Sequence, residues 1–112
     1  MANPSKQKGT AAETAVVRYL NDQGWPAVER RTLSGSKDKG DVAGVRDLVI
    51  EVKACKAMDL GGWLREADAE ALNAAADFGV VWHKRRGKSQ PNDWFVTMTG
   101  DAFVRLLKEA GR

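Results

Sequence analysis

The chain has 112 residues, of which 43% are hydrophobic and 29% charged, a composition typical of one globular domain with a single core. Its net charge of +3 permits a polyanionic partner, whereas one cysteine and one histidine exclude an internal disulfide and argue against a structural zinc site. Because no apolar run has the length of a membrane span, we expect a cytoplasmic protein that has no membrane partner.

The N-terminal part of the chain is predicted to be an arm followed by a helix. Residues 1–9 are polar and predict a disordered arm, so that residues 10–112 form the single domain. Apolar residues recur at helical spacing over residues 10–23. Thr10 and Glu13 match a capping box, in which the glutamate would only cap its own helix.

A short strand is predicted over residues 27–31, and residues 32–40 then form a polar loop rich in serine and glycine. Hydroxyl groups, amides and nearby cations suit the binding of phosphates, although an ordinary surface loop has the same composition. The basic residues of this region are Arg30, Arg31, Lys37 and Lys39.

The next stretch predicts a β-hairpin, with strands over residues 41–43 and 48–54 and a turn over residues 44–47. A hairpin that turns about its middle places Asp41 opposite Glu51, with their Cβ atoms about 5 Å apart. The two carboxylates would therefore share one edge of the sheet.

Carboxylates held this close repel each other unless one is protonated or a cation lies between them. Their oxygen atoms suit Mg²⁺, for which Mn²⁺ can substitute. Lys53 projects to the same side of the strand as Glu51, because side chains alternate along a strand. An acidic pair beside an ammonium group is a site for phosphodiester hydrolysis. The alternative is that Asp41 merely starts a strand and that Glu51 and Lys53 are solvated.

The second half of the chain predicts a helix over residues 63–77 that is ended by Gly79, strands over residues 80–85 and 93–98, and a helix over residues 100–110. Small residues on the first of these helices allow close approach to a sheet. The residues of the last helix predicted to face inward are Phe103, Leu106, Leu107 and Ala110.

Specific roles are predicted for several residues in this half of the chain. His83 is expected to be neutral on its strand, and Trp63 at a helix start is a candidate dimer contact. The densest basic cluster comprises Lys84, Arg85, Arg86 and Lys88. The predicted order of elements is α-β-β-β-α-β-β-α, an α/β fold with a mixed sheet covered by helices on both faces.

This order resembles that of the PD-(D/E)XK nuclease superfamily, and within it most closely the archaeal-type Holliday junction resolvases and their small phage relatives. The similarity spans about residues 9–98. The residues that carry it are Gly9-x-x-x-Glu13, Gly24-Trp25, Arg30 or Arg31, Ser34-Gly35-Ser36, Gly40-Asp41 and Glu51-Val52-Lys53. Gly40 replaces the proline of the family's name.

The resemblance implies a restriction-endonuclease-like αβββαβ core, with an extra C-terminal strand and helix. It also implies Mg²⁺-dependent hydrolysis that leaves 5′-phosphate and 3′-hydroxyl ends. The implied metal ligands are Asp41, Glu51 and the backbone carbonyl of Val52, with Glu13 completing the cluster directly or through water. Lys53 would orient or activate the attacking water, and Ser34 or Ser36 would contact the scissile region.

The sequence therefore predicts a structure-selective DNA endonuclease that resolves Holliday junctions as a homodimer in the cytoplasm of a bacterial or phage-infected cell. Its basic residues, including Lys37 and Lys39, would bind the DNA backbone. One alternative is a nuclease for other branched, nicked or single-stranded DNA. Another is a non-catalytic DNA-binding module that retains the fold.

Overall fold

The computed structural model describes residues 4–31 and 40–112. Its elements follow the predicted order, with a 3₁₀ turn at Pro91–Asp93 before the last strand. The helices are α1 (Pro4–Asp22), α2 (Leu60–Asn73) and α3 (Gly100–Glu109). The strands are β1 (Glu29–Arg30), β2 (Val42–Ala43), β3 (Leu48–Lys53), β4 (Phe78–His83) and β5 (Phe95–Thr97).

The five strands form one sheet in the order β1-β2-β3-β4-β5. β3 and β4 are parallel, whereas the other neighbouring pairs are antiparallel. Helix α2 makes the crossover between the two parallel strands, as a parallel connection requires. The predicted α/β fold, with a mixed sheet and an additional C-terminal strand and helix, is thereby confirmed.

The alternation of side chains along the central strands divides the core into two layers. Ile50 and Val52 belong to the layer that α1 covers through Val16. On the opposite face, Val81 packs against Trp63 and Ala67 of α2. Each central strand is thus buried on both faces, and any polar side chain it carries towards a helix loses contact with water.

Helix α2 lies close to the sheet because its contact surface is built from small residues. A Cβ atom added to Gly79 would lie 2.5 Å from the carbonyl oxygen of Ala67, so the close approach requires glycine there. Gly79 therefore belongs to β4, and the prediction that it ends the helix was wrong. The helix ends at Asn73 instead.

Helix α1 begins at Pro4, so residues 4–9, predicted as part of a disordered arm, are helical. Proline is favoured in the first turn of a helix, where its missing N–H costs no hydrogen bond. Thr10 consequently lies inside the helix, and its carbonyl accepts a hydrogen bond of 2.9 Å from the Thr14 hydroxyl. Thr10 is not an N-cap, which rules out the capping-box interpretation of Glu13.

Helix α3 does not bury the apolar face that the sequence predicted to point inward. Only Ala102 of this helix is buried, whereas Phe103 is 50% and Leu106 39% exposed. Helices α1 and α2 already cover both faces of the central strands, which leaves α3 at the rim. Leu107 is partly buried and Ala110 is exposed. Leu106 lines an apolar groove together with Val96, but much of the predicted inward face stays uncovered.

Trp63 is also placed differently from the prediction. It is 7% exposed and lies between α2 and the sheet, with its ring centroid 5.6 Å from that of His83. A buried core residue of this kind is not available for a dimer contact. Within the described part of the chain, none of the helices has the length and apolar character needed to cross a membrane.

Candidate active site and basic cleft

The β2–β3 hairpin brings Asp41 and Glu51 together. Val42 pairs with Ile50, so Asp41, which directly precedes β2, lies opposite Glu51, as the hairpin pattern predicted. The Asp41 backbone N–H donates to Ile50 at 3.1 Å, and Asp41 Oδ2 accepts a hydrogen bond of 2.8 Å from the backbone N–H of Val52. Asp41 is thus held by the adjacent strand at both its backbone and its side chain.

Glu51 points to the α2 side of the sheet and is 4% exposed. Burial, together with the carboxylates of Asp41 and Glu70, raises the pKa of Glu51 to about 12. Among the described residues, none makes a hydrogen bond to its buried Oε2 atom. The site therefore gathers more negative charge than a water-excluded position tolerates, and a proton or a cation must compensate it.

Lys53 lies at the end of the same strand and faces this cluster. Its Nζ atom forms an ion pair of 2.9 Å with Glu66 Oε2. Burial by itself would lower the pKa of Lys53, but the hydrogen bond to Glu66 and the negative charges of Glu51 and Asp41 outweigh it and raise the pKa. The lysine is therefore a fixed cation at the open side of the acidic cluster.

Two members of this cluster, Glu66 and Glu70, were missed by the sequence analysis. They are one turn apart on α2 and so project from the same side of the helix. Glu70 is 2% exposed, in a row of inward-facing residues that includes Ala67 and Ala71. A glutamate at a core position of an amphipathic helix was the signal that could have identified it.

Glu13 approaches the cluster from the opposite layer of the protein. Its Oε1 accepts a hydrogen bond of 3.1 Å from Arg30 Nε. Partial burial and the charge of Asp41 raise the pKa of Glu13, while Arg30 acts in the opposite direction. Glu13 is thus electrostatically linked to the Asp41 carboxylate, and the exposed Arg30 side chain is engaged in an ion pair with Glu13.

Gly40, directly before Asp41, has a φ angle of +94°. Proline cannot adopt this angle, because its ring holds φ near about −65°. An added Cβ atom would lie 2.5 Å from Val49 Cγ1 and 3.5 Å from Glu70 Oε2. The glycine therefore permits the close approach of the Asp41 strand to the α2 carboxylates.

Gly40→Ala is expected to destabilise the protein by about 2 kcal/mol, because both the positive φ angle and the contact with Val49 oppose a side chain. Chemical denaturation with urea measures the difference. Gly87→Ala is the matched control, since Gly87 has a φ angle of +80° but open space around it. Equal losses in the two variants would contradict a steric role for the Gly40 contact.

The donor atoms of the site fit a hard divalent cation. They are carboxylate oxygens, which Mg²⁺ and Mn²⁺ prefer, and one of them is a buried oxygen for which no described residue supplies a hydrogen-bond partner. Asp41 and Glu51, the predicted ligand pair, lie beside each other in this cluster, and the charge of Asp41 also acts on Glu13. That the pair holds an ion stays a prediction.

A basic cleft of about 630 Å³ opens at the same end of the sheet. It lies where β3 and β4 end, and the Lys84 backbone N–H donates to the Lys53 carbonyl at 2.8 Å. One wall consists of residues 54–58, directly after β3, and the other of residues 84–87, directly after β4. Helix α1 contributes Lys8. The cationic residues that line it are Lys8, Lys56, Lys84, Arg85 and Arg86.

The structure retains part of the predicted basic surface and extends it. Lys84 and Arg85 lie over the rings of Trp94 and Phe95, which hold these cations at the cleft. Lys88 is exposed in the same loop, outside the cleft lining, and its carbonyl accepts a hydrogen bond from the Trp94 indole. Lys8 and Lys56 were not among the predicted DNA-binding residues.

Other predicted positions lie elsewhere. Arg31 is partly buried, and its backbone N–H donates to the Asp41 carbonyl at 2.8 Å. His83 Nε2 lies 2.7 Å from Thr97 Oγ1, and burial lowers the pKa of the imidazole, in agreement with the expected neutral form. The loop residues Ser34, Ser36, Lys37 and Lys39 fall outside the described residues.

In comparisons with known proteins, no family model matches the chain, and no curated protein or solved structure shows significant similarity to it.

Proposed function

We propose that the protein is a Mg²⁺-dependent DNA endonuclease of the PD-(D/E)XK type. The observation that carries this proposal is the placement of the Asp41–Glu51 pair and Lys53 beside the basic cleft, at one end of the sheet. Glu51 lies three residues before Ala54 of the cleft lining, which is about 10 Å of extended chain, so DNA bound along the cleft would extend towards the carboxylates. A basic groove binds the polyanion, and the acidic cluster performs the chemistry.

Each residue has a role in this proposal. Asp41, Glu51 and the Val52 carbonyl would hold the cation, and Glu13 would complete the acidic site. The bound ion would supply Lewis-acid activation of the phosphate and lower the pKa of the attacking water. Lys53, oriented by Glu66, donates a hydrogen bond to that water or to a phosphate oxygen.

The loop serine, Ser34 or Ser36, contacts the scissile region in this proposal. Hydrolysis leaves a 5′-phosphate and a 3′-hydroxyl. The side chains of the cleft contact phosphates rather than base edges, a type of contact that positions DNA without reading its sequence.

The substrate that we propose is branched DNA, with the four-way junction as the leading case. Resolving a junction needs two symmetric cuts, and the single acidic cluster found among the described residues makes one cut at a time. A two-fold homodimer supplies two equivalent sites and two basic clefts. A nuclease for other branched, nicked or single-stranded DNA remains the alternative, and it needs no dimer.

The test compares labelled linear duplex, nicked duplex, single strand and four-way junction, each with Mg²⁺ or EDTA, at enzyme concentrations where light scattering has established the oligomeric state. We expect a dimer that cuts the junction in paired, symmetric positions only with Mg²⁺. A monomer that cuts nicked or single-stranded DNA equally well would support the alternative. Binding without cleavage of any substrate would identify a non-catalytic module.

Arg86→Gln is expected to weaken junction binding about tenfold and to lower the salt dependence of binding by about one unit of slope, because one phosphate contact is lost. Titrations of junction DNA at several salt concentrations measure both quantities. Lys108→Gln is the control, since it removes the same charge from the exposed end of α3. Equal effects of the two changes would show that net charge, not the cleft, determines affinity.

Cys55 gives a second measurement, because this exposed cysteine lines the cleft and is the only cysteine of the chain. DNA bound along the cleft should slow the reaction of Cys55 with a maleimide. Unchanged labelling at saturating DNA would place the DNA elsewhere.

A further inference from the structure

The acidic cluster contains more carboxylates than the proposed nuclease chemistry uses. Glu66 and Glu70 of α2 each bring one oxygen to within 4.8 Å of an oxygen of Glu51, and these two helix oxygens also lie within 4.8 Å of each other. Asp41 approaches Glu51 from the other side, across the hairpin. Three carboxylates therefore meet where β3 passes beneath α2, and Asp41 places a fourth beside Glu51.

The separation of these oxygens is compatible with one shared ion. Two oxygens on opposite sides of Mg²⁺ are about 4.2 Å apart, and around Ca²⁺ they are about 4.8 Å apart. Three oxygens within 4.8 Å can therefore reach a single cation with small side-chain movements. Glu66 and Glu70 are four residues apart, about one helical turn, so their side chains project from the same side of α2 and can reach one ion.

A second observation indicates that a ligand belongs at this position. Glu51 is 4% exposed, and its buried Oε2 atom has no hydrogen-bond partner among the described residues. A buried carboxylate oxygen costs free energy unless a donor or a cation satisfies it. Among the described residues, this buried Glu51 oxygen thus lacks a hydrogen-bond donor at the point where the oxygens of Glu51, Glu66 and Glu70 converge.

Lys53 does not provide this compensation by itself. Its ammonium group is paired with Glu66 Oε2, at the more exposed edge of the cluster, where the Glu66 side chain is 43% exposed. A carboxylate has two oxygens, so Glu66 can keep one on Lys53 and offer the other to an ion. The ion pair is therefore compatible with a cation bound deeper, between Glu51 and Glu70.

We propose that Glu66 and Glu70 are metal ligands, and that with Glu51 they form a site for a hard divalent cation between β3 and α2. Glu51 is common to this site and to the Asp41 pair. The ion would join helix α2 to the sheet. The proposal concerns binding of the metal, so it rests on the proposed nuclease function only in sharing Glu51, and it is testable without DNA.

The experiment measures binding of Mn²⁺ alone to the metal-free protein, by the electron paramagnetic resonance signal of free Mn²⁺ and by the rise in melting temperature. Glu70→Gln and Glu66→Gln are each expected to weaken Mn²⁺ binding tenfold or more, in the range found for changes around metal sites. Asp68→Asn is the matched control, because Asp68 is an exposed acidic residue of the same helix. It should bind Mn²⁺ as the wild type does.

Glu66 is exposed enough that Glu66→Gln keeps the fold intact even if Glu70→Gln does not, and circular dichroism of each variant checks this. Loss of binding in Asp41→Asn, with wild-type binding in both α2 variants, would overturn the proposal and confine the metal to the hairpin pair. Absence of Mn²⁺ binding by the wild type would also overturn it. If the wild type cuts no DNA but the two α2 variants lose Mn²⁺ binding, the metal site is supported and the nuclease function is refuted.

Discussion

Glu51→Gln is expected to reduce DNA cleavage at least 10²–10³-fold, the size of effect found when one group that stabilises a transition state is removed. Glutamine keeps the shape of the buried side chain but removes the carboxylate that Asp41 and Glu70 surround. Affinity for DNA should change little, because Glu51 is buried, whereas the residues proposed to contact the phosphates are the basic side chains of the cleft. Single-turnover cleavage and a binding titration measure the two quantities separately.

Asp41→Asn and Lys53→Met are expected to behave in the same way. Glu109→Gln serves as the control, since this exposed glutamate of α3 lies beside Arg46 and Leu48, at the start of β3 and away from the proposed site at its other end. Wild-type cleavage by Glu51→Gln, under conditions where EDTA stops the reaction, would show that the metal and the chemistry lie elsewhere in the protein.

The second large effect is on stability in the absence of metal. The pKa of Glu51 is raised from 4.5 to about 12 in the folded chain, so the folded protein holds this proton more tightly than the unfolded protein does. The stabilisation is complete below the unfolded pKa and decreases as pH rises towards the folded pKa. The free energy of unfolding should therefore fall with pH, by at most about 1.4 kcal/mol per unit from this group.

Glu51→Gln removes that dependence, because glutamine resembles the protonated acid and does not titrate. The variant should be more stable than the wild type in EDTA, and the difference in melting temperature should grow by about 5 °C per pH unit. The useful window is pH 7–9. Burial lowers the pKa of His83, so this residue changes the free energy of unfolding only at a pH below that window. The pKa of Lys53 is raised from 10.5, so Lys53 changes the free energy of unfolding only at a pH above the window.

Thermal unfolding of both proteins in EDTA at three pH values within the window measures this difference. Asp47→Asn is a suitable control, because it removes an exposed carboxylate from the turn of the same hairpin. Parallel curves for wild type and Glu51→Gln would mean that Glu51 is ionised in the metal-free protein. Burial of Glu51 would then no longer indicate a cation at this site.

The hairpin could be predicted because its determinants are local. Alternation of apolar and polar residues over β3, with a four-residue turn before it, defined both the faces of the strand and the Asp41–Glu51 register. The layers above and below the sheet followed from the same alternation. The end of α2 was less predictable, because Gly79, which was expected to end the helix, lies in β4. There it allows α2 to pack closely against the strand.

The exposed face of α3 shows a different limit. The sequence shows that Phe103, Leu106 and Leu107 share one side of a helix, but periodicity does not say whether a surface remains for that side to cover. In the structure, the central strands are already covered by α1 and α2, and only the edge of the α3 face meets the domain. Burial depends on the competition among helices for the same sheet.

The sequence by itself determined the order of the elements, the α/β class and the opposed carboxylates of the hairpin, because strand alternation and short turns act over a few residues. Only the tertiary structure decided that Glu66 and Glu70 join those carboxylates and that Lys8 joins the basic cleft. The helix residues follow Lys53 by 13 and 17 positions in the chain. Their meeting with β3 depends on how α2 docks over the sheet, which small residues and Gly79 allow and no local pattern specifies.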